Sequence, residues 1–235
     1  MQVTDPAAGR RRTGLEQEVI ECAPRTSISR ATEQAEEVLY VLSGDGELAL
    51  DGNRYALEPE SGAYLAPGEE YELDNPGSEP LRVVSVRIPD PVVPAADAEA
   101  GEARAVVRRL AEQEEQAATT SRTFRIVADP STGLQSATHF VGYVPTERAP
   151  DHFHTYDEVI YVLEGEGTLH AGGDRTPVAA GSFLELPAGT VHCLENTGED
   201  VMRLVAVFRP AGSPAAAYYP DGTPAYPGTP PVISA

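Results

Sequence analysis

Glu37-Val-Leu-Tyr-Val-Leu-Ser-Gly44-Asp-Gly46 returns later in the chain as Glu158-Val-Ile-Tyr-Val-Leu-Glu-Gly165-Glu-Gly167. The shift from position 37 to position 158 is 121 residues, and Asn75-Pro-Gly77 returns as Asn196-Thr-Gly198 at the same shift. Two distant anchors with one offset identify an internal duplication. Within each copy, β-branched and aromatic runs (38–42 and 159–163) stop at Gly-x-Gly, as strands do where a hairpin turns.

Working outward, residues 47–50, 64–66 and 82–88 supply further strands in the first copy, and 168–170, 183–186 and 202–208 in the second. Twenty-one Gly and twenty-one Pro favour short strands and tight turns over long helices. The expected fold class is all-β, with two barrels or sandwiches in tandem. The expected domains are 1–97, a linker at 98–120, a second barrel at 121–210 and a Pro/Gly-rich tail at 211–235. Pro89-Asp-Pro-Val-Val-Pro94 reads as a stiff connection. After it, Val106, Val107 and Leu110 fall on one side at helical spacing, so a short amphipathic helix is expected there. The tail reads as an extended surface strap or a partly disordered segment.

A formal charge of -20 sets the electrostatics. Such a chain repels phosphate backbones and anionic lipid headgroups, so neither nucleic acid nor a membrane surface is an expected partner. No apolar run reaches the ~18 residues that span a bilayer. Cys22 and Cys193 sit in different copies and form no disulfide framework. The expectation is a soluble cytoplasmic protein with a small-molecule substrate, free to self-associate as a homo-oligomer.

The chemistry concentrates in His152-Phe-His154-Thr-Tyr-Asp-Glu158. Residues two apart on a strand share a face, so His152 and His154 project together, and Glu158 keeps that parity if the strand stays regular. Two imidazoles and a carboxylate from one wall suit a divalent transition metal (Mn, Fe, Ni, Co or Zn). Farther on, the turn at Pro187 and Gly189 presents His192 as a fourth donor.

These segments resemble the cupin superfamily. His152, His154, Glu158 and Gly165 fall in the register of its first motif, and Gly181, Pro187, Gly189, His192 and Asn196 in that of its second. One departure is Thr146, where the family's first motif has Gly. The resemblance implies a bicupin: tandem double-stranded β-helix (jelly-roll) barrels, the second holding a metal on three His and one Glu, with coordination positions left for substrate, water or dioxygen. Similar proteins oxygenate, isomerise, decarboxylate or hydrolyse small metabolites. A metal-dependent enzyme, oxidoreductase among the options, is therefore expected, and a non-catalytic ligand-binding or storage barrel is the alternative.

Shifted back by 121, His152 falls on Ala31, His154 on Glu33 and Glu158 on Glu37, while Tyr71 or Glu72 stands in the place of His192. The first copy thus reads as a degenerate barrel, with Glu33, Glu36 and Glu37 expected as a solvated acidic turn and a site for a hard cation as the alternative. Around the metal ligands, Tyr156, Asp157, Glu185 and Arg148 are further candidates for substrate contact, Arg148 through a bidentate grip on a carboxylate. Cys193 is expected in the core.

Overall fold

The computed structural model describes residues 12–92 and 104–231. The described chain forms two compact units. The N-terminal unit comprises 14–92, 104–113 and 126–139; the C-terminal unit comprises 12–13, 114–125 and 140–231.

In the N-terminal unit a five-stranded sheet runs in the order Glu16–Cys22, Leu81–Ile88, Glu36–Ser43, Ser61–Leu65, Val107–Arg109. A four-stranded sheet runs Thr26–Ala31, Glu70–Asn75, Gly46–Leu50, Asn53–Leu57. Their inner faces enclose Leu39, Val41, Leu48, Leu65, Leu73 and Val83, all almost fully buried. Residues 126–139 belong here because Glu36, itself buried, accepts from the backbone N–H of Gln135 (3.0 Å) and Ser136 (3.1 Å) and from the Tyr64 hydroxyl (2.9 Å).

The C-terminal unit repeats the plan. Met202–Arg209 and Phe183–Leu186 flank Asp157–Glu164, as Leu81–Ile88 and Ser61–Leu65 flank Glu36–Ser43. Asp174–Ala179, Glu166–Ala171 and His192–Asn196 make the opposing sheet. The duplication extends to irregularities: a bulge falls between Val41 and Ser43 and another between Val162 and Glu164. Gly44 (φ 81°) and Gly165 (φ 88°) turn the chain just beyond. A Cβ at Gly44 would strike the Pro80 carbonyl, which explains why glycine is required there.

The expected helix does not form in the described part of 98–120; residues 98–103 lie outside the description. Val107–Arg109 is instead an edge strand against Ser61–Leu65, followed by a single 3-10 turn, Leu110–Glu112. Apolar residues at 106, 107 and 110 fit a helical face, but they fit an edge strand ending in a turn equally well. The free sheet edge supplied hydrogen bonds, Tyr64 N–H to Val106 O (2.9 Å) and Leu110 N–H to Glu60 O (3.0 Å). The tail is a strap through residue 231, with Ala215–Tyr218 buried; residues 232–235 lie outside the description.

Candidate metal centre

Three separate elements bring the imidazoles together. His152 and His192 form a two-residue antiparallel bridge, each N–H donating to the other's carbonyl (3.0 and 2.8 Å). The intervening turn is held from beneath. The Asp157 carboxylate accepts from Ala188 N–H (2.9 Å), and Gly189 N–H donates to His154 O (2.8 Å). Gly189 has φ 79°, which accounts for the glycine in this turn. Phe153 stacks on Tyr218 of the strap, while His152 and His154 are both buried. Glu158 comes from the strand Asp157–Glu164, paired between Leu186 and Phe208.

The rings of His152, His154 and His192 have centroids 4.7 to 5.7 Å apart, and one ring nitrogen from each lies within 4.8 Å of the others. Glu158 Oε2 is 3.9 Å from His192 Nε2. The carboxylate therefore stands beside the imidazole cluster, a little outside its tightest grouping. Each Nδ1 faces a backbone carbonyl: His152 that of Pro150 (3.0 Å), His154 that of Ala216 (2.8 Å), His192 that of Thr190 (2.8 Å). A carbonyl can only accept, so each Nδ1 carries the hydrogen and each Nε2 keeps its lone pair.

Burial reinforces that state. It lowers the pKa of His152, takes that of His154 down to about 3 and drives that of His192 well below the ordinary value. The same burial pushes the Glu158 carboxyl up to about 8, with the positive charge of Arg122 pulling the other way. Three neutral imidazoles with preset lone pairs and a carboxylate short of counter-charge are the donor set a divalent first-row ion takes. Among the described residues, this is the one group of three ligand-type side chains close enough to hold a metal.

The candidate ligands open on a cavity of about 90 Å³. Phe140, Ile160, Leu194, Leu204 and Phe208 give it apolar walls, and Pro214 and Ala217 of the strap line it as well.

The other sequence candidates fare differently. Tyr156 is half-buried, its ring packed near His154 and Phe208 (centroids 6.2 and 5.1 Å), but it is absent from the cavity lining. Asp157 acts on the turn, as above. Arg148 is exposed and pairs with Asp151 at 3.2 Å, outside the cavity. Glu185 points away from it: exposed, and accepting from Thr13 N–H (2.8 Å) and hydroxyl (2.9 Å). It sits opposite Val159, one position off the Glu158–Leu186 pair, and one step along a strand reverses the face. Cys193 is fully buried, its thiol donating to Ala149 O (3.1 Å). The residue missed is Arg122, just ahead of the strand Thr123–Ala128, which lines the cavity together with Thr123 and Phe124. No periodicity in the sequence marks it, and an arginine in an acidic chain reads as surface.

In the N-terminal unit the ladder register corrects the offset mapping. Tyr71 lies opposite Leu50 as His192 lies opposite Ala171, so Tyr71 takes the histidine's place. Its cross-strand neighbour is Arg30, where the offset pointed to Ala31. Glu37 is completely buried and accepts from Tyr71 Oη (3.0 Å) and Ser85 Oγ (2.6 Å), with Arg30 at 3.7 Å. Glu36 is equally buried, so the solvated acidic turn expected at 33–37 is confined to Glu33.

Two jelly-roll units, one with a histidine cluster at its open end, define a bicupin. The chain belongs to the cupin domain family, whose model matches residues 18–87 and 139–208. It is 38% identical over 51 residues to an oxalate-binding protein of Thermotoga maritima, covering 22% of this chain and 42% of that one. It is 43% identical over 47 residues to quercetin 2,3-dioxygenase of Bacillus subtilis, covering 20% and 14%. The chain spans 14% to 59% of the length of the curated relatives it matches. A deletion mutant of Bacillus subtilis oxalate decarboxylase shares the fold, with a TM-score of 0.65 at 12% identity over 85% of this chain and 70% of the other.

Proposed function

We propose that the C-terminal barrel binds one divalent transition metal through His152, His154, His192 and Glu158, and that the protein is a metal-dependent enzyme acting on a small, oxygen-rich metabolite. The observation that carries this is the trio of Nε2 lone pairs, each preset by a carbonyl on Nδ1, meeting at a small cavity with apolar walls. A bound metal supplies Lewis-acid polarisation of a substrate oxygen, or electron transfer where the ion is redox-active. The chain's own part is to orient and to exclude water. Phe140, Leu204 and Phe208 desolvate whatever enters, which strengthens every polar contact made there.

A binding module is the second reading, and one observation favours it. Among the described residues, no carboxylate or imidazole beyond the proposed ligands lines the cavity, which leaves the Tyr143 hydroxyl as the one phenol there to serve as general acid or base. The likeness to an oxalate-binding protein accords with this.

Metal analysis of protein purified without added metal, then a metabolite screen with that metal restored, tests both readings. Turnover that chelator abolishes and one metal restores supports the enzyme. A tightly held metabolite that no metal or oxidant converts supports the binding module. Failure to retain any metal after growth in metal-replete medium overturns both.

A further inference from the structure

We propose that Arg122 is the anchor for a carboxylate group of the ligand, making the substrate class of this site a short-chain carboxylate. The inference rests on the metal-site reading above and deepens it. Arg122 lines the same cavity as His152, His154, Glu158 and His192. Its Nη2 donates to Leu194 O at 2.6 Å, which fixes the guanidinium in place. Its Nε is shut off from solvent and has no hydrogen-bond partner among the described residues, the buried Cys193 thiol being the side chain that interacts with the guanidinium. A buried N–H left unpaired carries a desolvation cost that a ligand oxygen removes. A guanidinium already held at one corner loses little freedom in gripping that oxygen.

Charge leads to the same class. Imidazoles that ligate a metal do so as neutral groups, and among the described residues Glu158 is the one acidic residue in the lining. A divalent ion brings two positive charges and Arg122 one, against the single negative charge of Glu158. Two positive charges then stand uncompensated in a largely desolvated space, which favours an anion strongly over a neutral molecule. Glu147 also acts on Arg122, but Glu147 is exposed and hydrogen-bonded to Ser121 (2.5 Å), where solvent screens it. A cavity of about 90 Å³ has room for several water-sized groups, which suits a small molecule. Its walls are mostly apolar, with the hydroxyls of Thr119, Thr123 and Tyr143 besides Arg122 and the proposed ligands. A carboxylate spanning Arg122 and the metal position satisfies charge, size and the free Nε together.

The test uses the zinc-loaded full chain and two probes of like shape, malonate and its uncharged analogue malonamide, measured by calorimetry. Wild type is expected to prefer malonate. Arg122→Gln should weaken malonate at least about tenfold, with malonamide binding and zinc content unchanged. Arg122→Lys should keep part of the preference, and serves as the readout if Arg122→Gln melts early. Malonate binding within twofold of wild type in both variants overturns the proposal, as does a wild type that takes malonate no better than malonamide. If wild type holds no zinc, the metal reading falls, and the same comparison on metal-free protein decides Arg122 alone. Malonate lost on Arg122→Gln then upholds the anchor, and malonate unaffected or never bound removes it.

Discussion

His154 depends most on its surroundings, because its Nδ1 partner, Ala216 O, lies 62 residues farther along the chain. Replacing His154 by Ala should remove a ligand and lower metal affinity by more than about 100-fold, since loss of an outer partner alone typically costs 10–100-fold. Chelator competition measures it, and circular dichroism should show the barrel intact. His139 makes a different residue-scale prediction. It is fully buried in the N-terminal unit, edge-on to Tyr40 with centroids 6.2 Å apart, and its Nδ1 has no hydrogen-bond partner among the described residues. Burial takes its pKa down from 6.5 to about 3. The unfolded chain therefore binds this proton first as pH falls. The contribution to stability is whole above pH 6.5 and is lost progressively toward pH 3. Between pH 7.5 and pH 5 the loss should be about 2 kcal/mol. Denaturant titrations of wild type and His139→Phe should show a shallower pH slope in the variant, and equal slopes would refute the assignment. The proposed ligands stood out in the sequence through the motif spacing, whereas the strand parity expected to join His152, His154 and Glu158 does not hold: 152 and 153 are isolated bridges, and the strand begins only at Asp157. The surroundings of Glu185 were not legible, because which way it faces depends on the ladder register, a tertiary outcome; Arg122 and Arg148 lie outside the strands, where no periodicity says which way a side chain faces.

At the scale of elements, the strap is the least legible and the most consequential. Its Pro, Gly and Tyr content names no regular structure, yet Tyr218 exchanges backbone hydrogen bonds with Phe153 (2.8 and 2.9 Å) and Ala216 supplies the carbonyl for His154. Holding residue 153 by its backbone holds both neighbouring imidazoles. Ending the chain after Pro210 should leave all four proposed ligands in place and lower metal affinity about 10–100-fold, the usual effect of losing an outer-shell partner. Competition with a zinc chelator reads this directly, and affinity equal to the full chain would show that the strap merely covers the barrel. The mistaken helix has the same physical origin as the unread strap. A pattern of three apolar residues does not say whether a neighbouring edge is waiting to pair with them, whereas the Glu37 and Glu158 strands repeat long β-branched runs that no helix shares.

For the whole molecule, the charge of -20 predicts that nucleic acid is not retained: at physiological salt, mobility-shift assays with duplex DNA and single-stranded RNA should show no salt-sensitive micromolar binding. Among the described residues no helix is long and apolar enough to cross a membrane.

Duplication raises the sharper question of whether two barrels mean two metals. In the C-terminal unit the open end presents three neutral imidazoles with free lone pairs. In the N-terminal unit the matching register positions hold Arg30, Glu37 and Tyr71, which pair with one another through one Glu37 oxygen while Glu37 Oε2 and Arg30 Nε make no hydrogen bond among the described residues. Tyr71 and Ser85 donate to one oxygen of Glu37, with Arg30 and Arg87 at 3.7 and 3.9 Å. A cation entering there would find one unbonded carboxylate oxygen beside the fixed positive charges of Arg30 and Arg87, with no imidazole at the matching positions to complete a ligand set. The stoichiometry should therefore be one tightly held ion per chain. Exposed carboxylates across so acidic a surface will also attract divalent ions, but weakly, and salt screens them. Dialysis against a mild chelator at moderate salt, followed by elemental analysis, separates the two populations. One ion should survive in wild type and none in His154→Ala. Arg30→Ala, which removes the fixed charge but adds no imidazole, should still hold one. Two ions surviving in wild type would mean that the N-terminal barrel binds metal through donors other than these, and would overturn the reading of that barrel as closed.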